Sequence, residues 1–249
     1  MPLHNRALPF LLVIPMTMIA VGPKIASAGE GWQGCYVGIH AGYVRADQRA
    51  TDTPFAHDSF GAPITWNDPT GSTLDADSDG AMGGAQAGCD YSKPLDGMTL
   101  VLGVVGDISA IDASATGASA IAADTHTNFD ANWMGNLRGR LGVANQNTLI
   151  YATGGVAFAD IGVRAFDLDG TVNLGLMDVR ASGTETGWVA GLGVEQRLSG
   201  NMSVSVEWLH TEFNDLVATG AAIFPTLATP RFESDLEIDT IRIGLNWRM

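Results

Sequence analysis

Strict alternation of apolar with small or polar residues recurs eight times along this chain, and no segment beyond residue 28 sustains the 3.6-residue repeat of an amphipathic helix. The spacing predicts a first strand from Trp32 to Val44, with Cys35, Val37, Ile39, Ala41 and Tyr43 on one face and Tyr36, His40 and several glycines on the other. Further strands are predicted over Gly80 to Tyr91, Met98 to Ile111, Ala131 to Ala144, Thr148 to Phe166 and Thr184 to Leu198. A seventh begins at Met202 and alternates through Leu209, and the last ends the chain with Ile241, Ile243, Leu245, Trp247 and Met249 on one face and Arg242, Gly244, Asn246 and Arg248 on the other.

The connections alternate in length. Short turns rich in Pro, Asn, Gly and Asp are expected at Ser92 to Gly97, Asn145 to Asn147 and Ser199 to Asn201. Long polar loops are expected at Ala46 to Asp79, Asp112 to Asp130, Asp167 to Gly183 and Asn214 to Ser234. Eight such strands form an up-and-down barrel. A soluble barrel is apolar inside, whereas here one face of the strands holds Val, Leu, Ile and Trp and the other gathers charges of both signs. That is the arrangement of a barrel whose outer wall meets lipid, with short turns in the periplasm and long loops outside. The expected fold is therefore an all-β, eight-stranded antiparallel transmembrane barrel occupying residues 29–249.

Residues 1–28 read as an export signal. Arg6 precedes an apolar run from Ala7 to Val21, and Ala26-Ser27-Ala28 supplies a small-residue cleavage pattern. The run is shorter than a membrane-spanning helix and is interrupted by Pro9 and Pro15. Setting aside Arg6 and Lys24 with the leader leaves 11 basic against 27 acidic residues, a net charge of −16. Such a balance excludes nucleic acid as a partner, since binding the phosphate backbone needs a basic surface. Charged residues are only 16% of the chain and Gly reaches 31 residues, a composition suited to a wall that faces lipid.

Several stretches carry a family resemblance. Trp32-Gln33-Gly34-Cys35-Tyr36-Val37-Gly38, Gly83-Gly84-Ala85-Gln86-Ala87-Gly88, Gly103-Val104-Val105-Gly106-Asp107-Ile108 and Leu137-Arg138-Gly139-Arg140-Leu141-Gly142 follow in order. Tyr151-Ala152-Thr153-Gly154-Gly155, Gly187-Trp188, Gly193-Val194-Glu195, Val206-Glu207-Trp208 and Ile241-Arg242-Ile243-Gly244-Leu245-Asn246-Trp247-Arg248 continue the series. Together they resemble the small outer-membrane immunogenic, or porin-family, barrels of alphaproteobacteria. The resemblance spans all eight strands but not the loops. It implies an outer-membrane location, contact with lipid and lipopolysaccharide, and insertion by the outer-membrane assembly machinery. The family usually ends in an aromatic residue, whereas this chain ends in Met249 with Trp247 two positions earlier.

Parity places Asp107, Glu195 and Glu207 on the inward face together with Arg138, Arg140 and Arg242. Either these charges line an ion path or they pair into a plug. An eight-stranded barrel is only wide enough for its own side chains, and the plug is the expected arrangement. Cys35 and Cys89 fall on the apolar face of the first two strands. Export permits a bridge between them, and two lipid-facing thiols are the alternative. Trp32, Tyr43, Tyr91, Trp188, Trp208 and Trp247 are expected to form aromatic girdles at the membrane interfaces.

Three further patterns carry chemistry less directly. Asp75-Ala76-Asp77-Ser78-Asp79-Gly80 copies the first half of a calcium loop, but Gln86 stands where the bidentate acid belongs, so an acidic loop rim is expected. His210 and Glu212 share an outward face, as in barrels that cleave lipid A, yet Glu212 takes the place of the nucleophile. In the first long loop, Phe55, His57, Phe60 and Trp66 are residue types suited to haem. No metal, cofactor or catalytic group is expected from the motifs present. The sequence reads as a structural, surface-exposed outer-membrane protein, with a host-ligand receptor or a small-solute porin as alternatives.

Overall fold

The computed structural model describes residues 31–67, 71–119, 124–168, 175–221, 224–225 and 228–249, so the expected leader at residues 1–28 lies outside the described residues. Among the described residues twelve strands follow in chain order: β1 (Gly34–Thr53), β2 (Ala56–His57), β3 (Pro63–Ile64), β4 (Thr73–Leu95), β5 (Met98–Ala118), β6 (Thr125–Ala144), β7 (Thr148–Asp167), β8 (Gly175–Leu176), β9 (Asp178–Arg197), β10 (Met202–Thr219), β11 (Phe224–Pro225) and β12 (Arg231–Arg248). Eight of these close into an antiparallel barrel in the order β1-β12-β10-β9-β7-β6-β5-β4. The seam joins the first and last strands, from Tyr36 opposite Arg248 to Thr53 opposite Arg231. The short pairs β2–β3 and β8–β11 lie in the outer connections.

The tight turns sit at one end. Between β4 and β5, Leu95 pairs with Met98, leaving only Asp96 and Gly97 to reverse the chain. Both have positive φ, 39° and 88°, the backbone of a two-residue hairpin turn.

The long loops are much shorter than expected, because the strands run on through most of them. β1 continues past Val44 to Thr53 and β4 begins at Thr73, while β6 begins at Thr125, β9 at Asp178 and β12 at Arg231; β10 continues to Thr219. The reason is an inversion of the pattern. Above residue 44 in β1, Arg45 and Arg49 point out to water while Ala46 and Ala50 are buried in the barrel. Most of the charged residues that read as loop lie on the outer face of a water-exposed strand.

The barrel thus has two halves of opposite character. In the lower half, Val37, Ile39, Leu102, Val104, Leu141, Leu192, Ile241 and Ile243 are exposed on the outer wall. This apolar belt extends for about 9–11 residues along each strand, the length of a tilted membrane-crossing strand. Outward-facing Arg45, Asp79, Asp112, Asp130, Asp160, Glu212 and Asp239 mark its upper edge. In the upper half the core is mainly apolar, with Leu74, Phe129, Ile161, Phe213, Phe232 and Leu236 buried inside, and it also holds buried polar groups such as Gln48, which donates to Ser234 at 3.2 Å. β-bulges lie near the junction, between Ala110 and Ala113 in β5 and between Ala131 and Met134 in β6. At roughly 3.3 Å per residue and a tilt of about 40°, the upper half stands roughly 20 Å above the lipid.

Candidate functional site

The lumen of the lower half is filled by two layers of charge. In the upper layer, Arg138 from β6 donates to Asp107 from β5 at 2.9 Å and lies 3.4 Å from Glu207 of β10. Arg242 from β12 bridges the same two carboxylates, at 3.1 Å from Asp107 and 2.6 Å from Glu207. Asn136 donates to Asp107 at 2.9 Å and the Tyr151 hydroxyl to Glu207 at 2.8 Å. In the lower layer, Arg140 from β6 pairs with Asp90 of β4 and, at 2.9 Å, with Glu195 of β9. Arg248 from β12 completes it at 2.9 Å from Asp90 and 3.9 Å from Glu195. Ser203 and Asn246 also donate to Glu195, at 2.5 and 3.2 Å.

Each layer holds two arginines and two carboxylates, so its formal charges cancel. Burying a lone charge costs several kcal/mol, whereas mutual pairing with added hydrogen bonds offsets much of that cost. The strand period places these groups: Arg138, Arg140 and Asn136 are two apart on β6, and Arg242, Asn246 and Arg248 share one face of β12. Two members were not expected in the charge network, although Arg248 was placed on the face of Arg242. Asp90 and Arg248 lie at inward parity, in step with Gln86 on β4 and Arg242 on β12, and that parity is the signal that locates them.

Trp32 is a correction. It is 1% exposed, not interfacial, and it packs with Val101, Ala144, Leu149 and Tyr151. Its indole N–H donates to the Asn145 carbonyl at 3.2 Å, and the Arg248 guanidinium lies 5.6 Å from its ring. The residue precedes the first strand, so alternation does not apply to it. Tyr43, Tyr91, Trp188, Trp208 and Trp247 do face outward from the wall.

Cys35 and Cys89 stand opposite each other on β1 and β4 and are joined by a disulfide on the outer wall. Asp75, Asp77 and Asp79 point outward from β4, correcting the expected loop rim; an extended strand cannot wrap its alternate side chains around one ion. Asp75 instead pairs with Arg49 at 3.0 Å. His210 meets Asp239 across the β10–β12 pair at 3.1 Å and lies beside the rings of Trp188 and Trp208. The four aromatic residues of the first outer connection do not converge. Trp66 is buried in the barrel mouth, while Phe60 is 94% exposed at the tip of the β2–β3 hairpin.

The mouth is capped by hydrogen bonds to two buried carboxylates. Asp52 accepts from the Trp66 backbone N–H at 3.2 Å, and Asp167 accepts from the Trp66 indole at 2.9 Å and from Thr125 at 2.8 Å. Burial pushes the carboxyl of each up to about 6.

A family model described as outer membrane protein beta-barrel domain matches residues 11–248. Relatives include the 31 kDa outer-membrane immunogenic proteins of Brucella melitensis biotype 1 and Brucella suis biovar 1. Each is 28% identical over 221 residues, covering 87% of this chain and 83% of the relative. Among solved structures, the outer membrane protease OmpT from Escherichia coli aligns with a TM-score of 0.48 at 8% identity, over 87% of this chain and 97% of that one. The outer membrane protein OprG from Pseudomonas aeruginosa aligns with a TM-score of 0.42 at 12% identity, over 88% of this chain and 99% of that one.

Proposed function

The chain belongs to the outer membrane protein β-barrel family and resides in the outer membrane, and from that premise we propose that it acts as a closed, surface-presenting barrel with neither pore nor catalytic activity. The observation that carries this reading is the filled lumen. From base to mouth it contains Trp32, the Arg140 layer, the Arg138 layer, an apolar core and the Trp66 cap. Eight strands leave little more than the volume of these side chains, whereas water-filled channels belong to barrels of about 16 strands or more. The inward charges are engaged with one another, which supports a structural role over a catalytic one.

The apolar belt makes outer-membrane lipid and lipopolysaccharide the immediate partners. The last strand, with Trp247 facing lipid, is the segment offered to the assembly machinery. The upper half lifts the β2–β3 hairpin clear of the membrane, which supports envelope strengthening combined with display of surface epitopes. Vesicle swelling tests the reading: vesicles loaded with the folded protein are expected to swell in a small sugar no faster than protein-free vesicles. Swelling that scales with protein content would replace it with a porin.

A further inference from the structure

On the lumen side of the β1–β4 pair, large and absent side chains alternate in lockstep. Tyr36 faces Gly88, Gly38 faces Gln86, His40 faces Gly84 and Gly42 faces Met82. The fit is tight: a Cβ on Gly88 would lie 2.6 Å from the Tyr36 ring, and one on Gly84 would lie 2.8 Å from the His40 imidazole. Slipping the strands by one residue turns every side chain to the wrong face. Slipping by two sets Tyr36 against Gln86 and glycine against glycine, which the fit forbids. Slipping by four restores the lockstep, with Tyr36 on Gly84 and Gly38 on Met82.

Charge does little to remove this four-residue ambiguity. The native register sets Asp47 directly opposite Asp77, a repulsive pair. The native register also sets Arg45 opposite Asp79 and Arg49 opposite Asp75, and a four-residue shift either way relieves the repulsion but keeps only one such pair, Arg45 on Asp75 or Arg49 on Asp79, so the balance of facing charges changes little. Connection length gives no help either. The β4–β5 register follows from its two-residue turn, but β1 and β4 are joined through residues 54–72, a span long enough to accept several registers. The Cys35–Cys89 bridge sits at the opposite, open end of the pair, and these residues meet only in the native register.

We propose that this disulfide is an assembly-stage register lock, selecting one of several four-residue-spaced pairings of β1 with β4 before β1 closes the barrel against β12. Its work is done during folding and is separate from the closure of the lumen.

The test begins from a chain carrying Cys35→Ser and Cys89→Ser. Adding Val37→Cys with Ala87→Cys reports the native register, and adding Val37→Cys with Gly83→Cys reports a register shifted by four. Each chain is refolded with its thiols reduced into detergent micelles. It is then treated with oxidised glutathione, which accepts two electrons and two protons from the thiol pair and leaves as two reduced glutathiones. Both pairs are expected to cross-link, the shifted one in at least about a tenth of the folded molecules, the share for registers within one tenfold step. Cross-linking of the native pair alone would overturn the proposal. If the reduced chains do not fold at all, oxidising the Val37→Cys, Ala87→Cys chain before refolding is expected to restore the barrel, because a lock can move along the strand pair; failure to restore it would equally overturn the proposal.

Discussion

Arg140 shows how much one side chain holds together in the lumen. It pairs with Asp90 and Glu195 and lies over the rings of Tyr36 and Tyr151, at 4.8 and 5.1 Å. Replacing it with leucine leaves two buried carboxylates short of positive charge. Arg140→Leu is expected to destabilise the barrel by about 3–5 kcal/mol in urea unfolding, and adding Glu195→Leu is expected to recover part of the loss. Simple addition of the two single effects would contradict the pairing. At the mouth, the carboxyls of Asp52 and Asp167 are raised to about 6 from an ordinary value of 3.8. A raised carboxyl favours the native state fully below its unfolded value and loses that contribution as pH rises through about 6. The cap is therefore expected to be tighter at pH 5 than at pH 7.5. Protection of the Trp66 amide against hydrogen exchange, corrected for its intrinsic rate, measures this; equal protection at both values would contradict it.

The individual strand is the scale at which the sequence was most and least legible. Positions such as Val37, Ile39, Ile241 and Ile243 announced the lipid-facing wall by parity alone, because one face had to be apolar throughout. The upper halves of the same strands were hidden, since Arg45-Ala46-Asp47-Gln48-Arg49 is indistinguishable in composition from a loop when its partner strands are unknown. Small inward residues such as Ala46 and Ala50 give weak alternation, and only pairing with β4 and β12 makes them strand. The two environments on one strand set are testable with a single charge. Ile243→Arg, near the middle of the belt, is expected to cost about 2–4 kcal/mol, whereas Ser114→Arg, exposed on the upper half, is expected to stay within about 0.5 kcal/mol. Equal effects in vesicle-embedded protein would mean that the belt does not mark the lipid.

For the molecule as a whole, barrel topology and strand order followed from periodicity, because eight alternating segments with alternating connection lengths admit few other closures. The charge network was legible in kind but incomplete in membership. Asp90 and Arg248 fell inside the predicted strands, but alternation along one strand does not show which inward groups meet across the lumen, and Trp32 lies outside the strands altogether. These three residues complete the charge layer and the packing at the lower end of the lumen. The leader is expected to be removed after Ala28, so N-terminal sequencing of the outer-membrane protein should begin at Gly29. The central claim, that this barrel is closed, is tested most directly by current recording across a planar bilayer containing the folded protein. A closed barrel gives a baseline without reproducible open-channel steps, while steady steps of constant conductance from the unmodified protein would show that it is open.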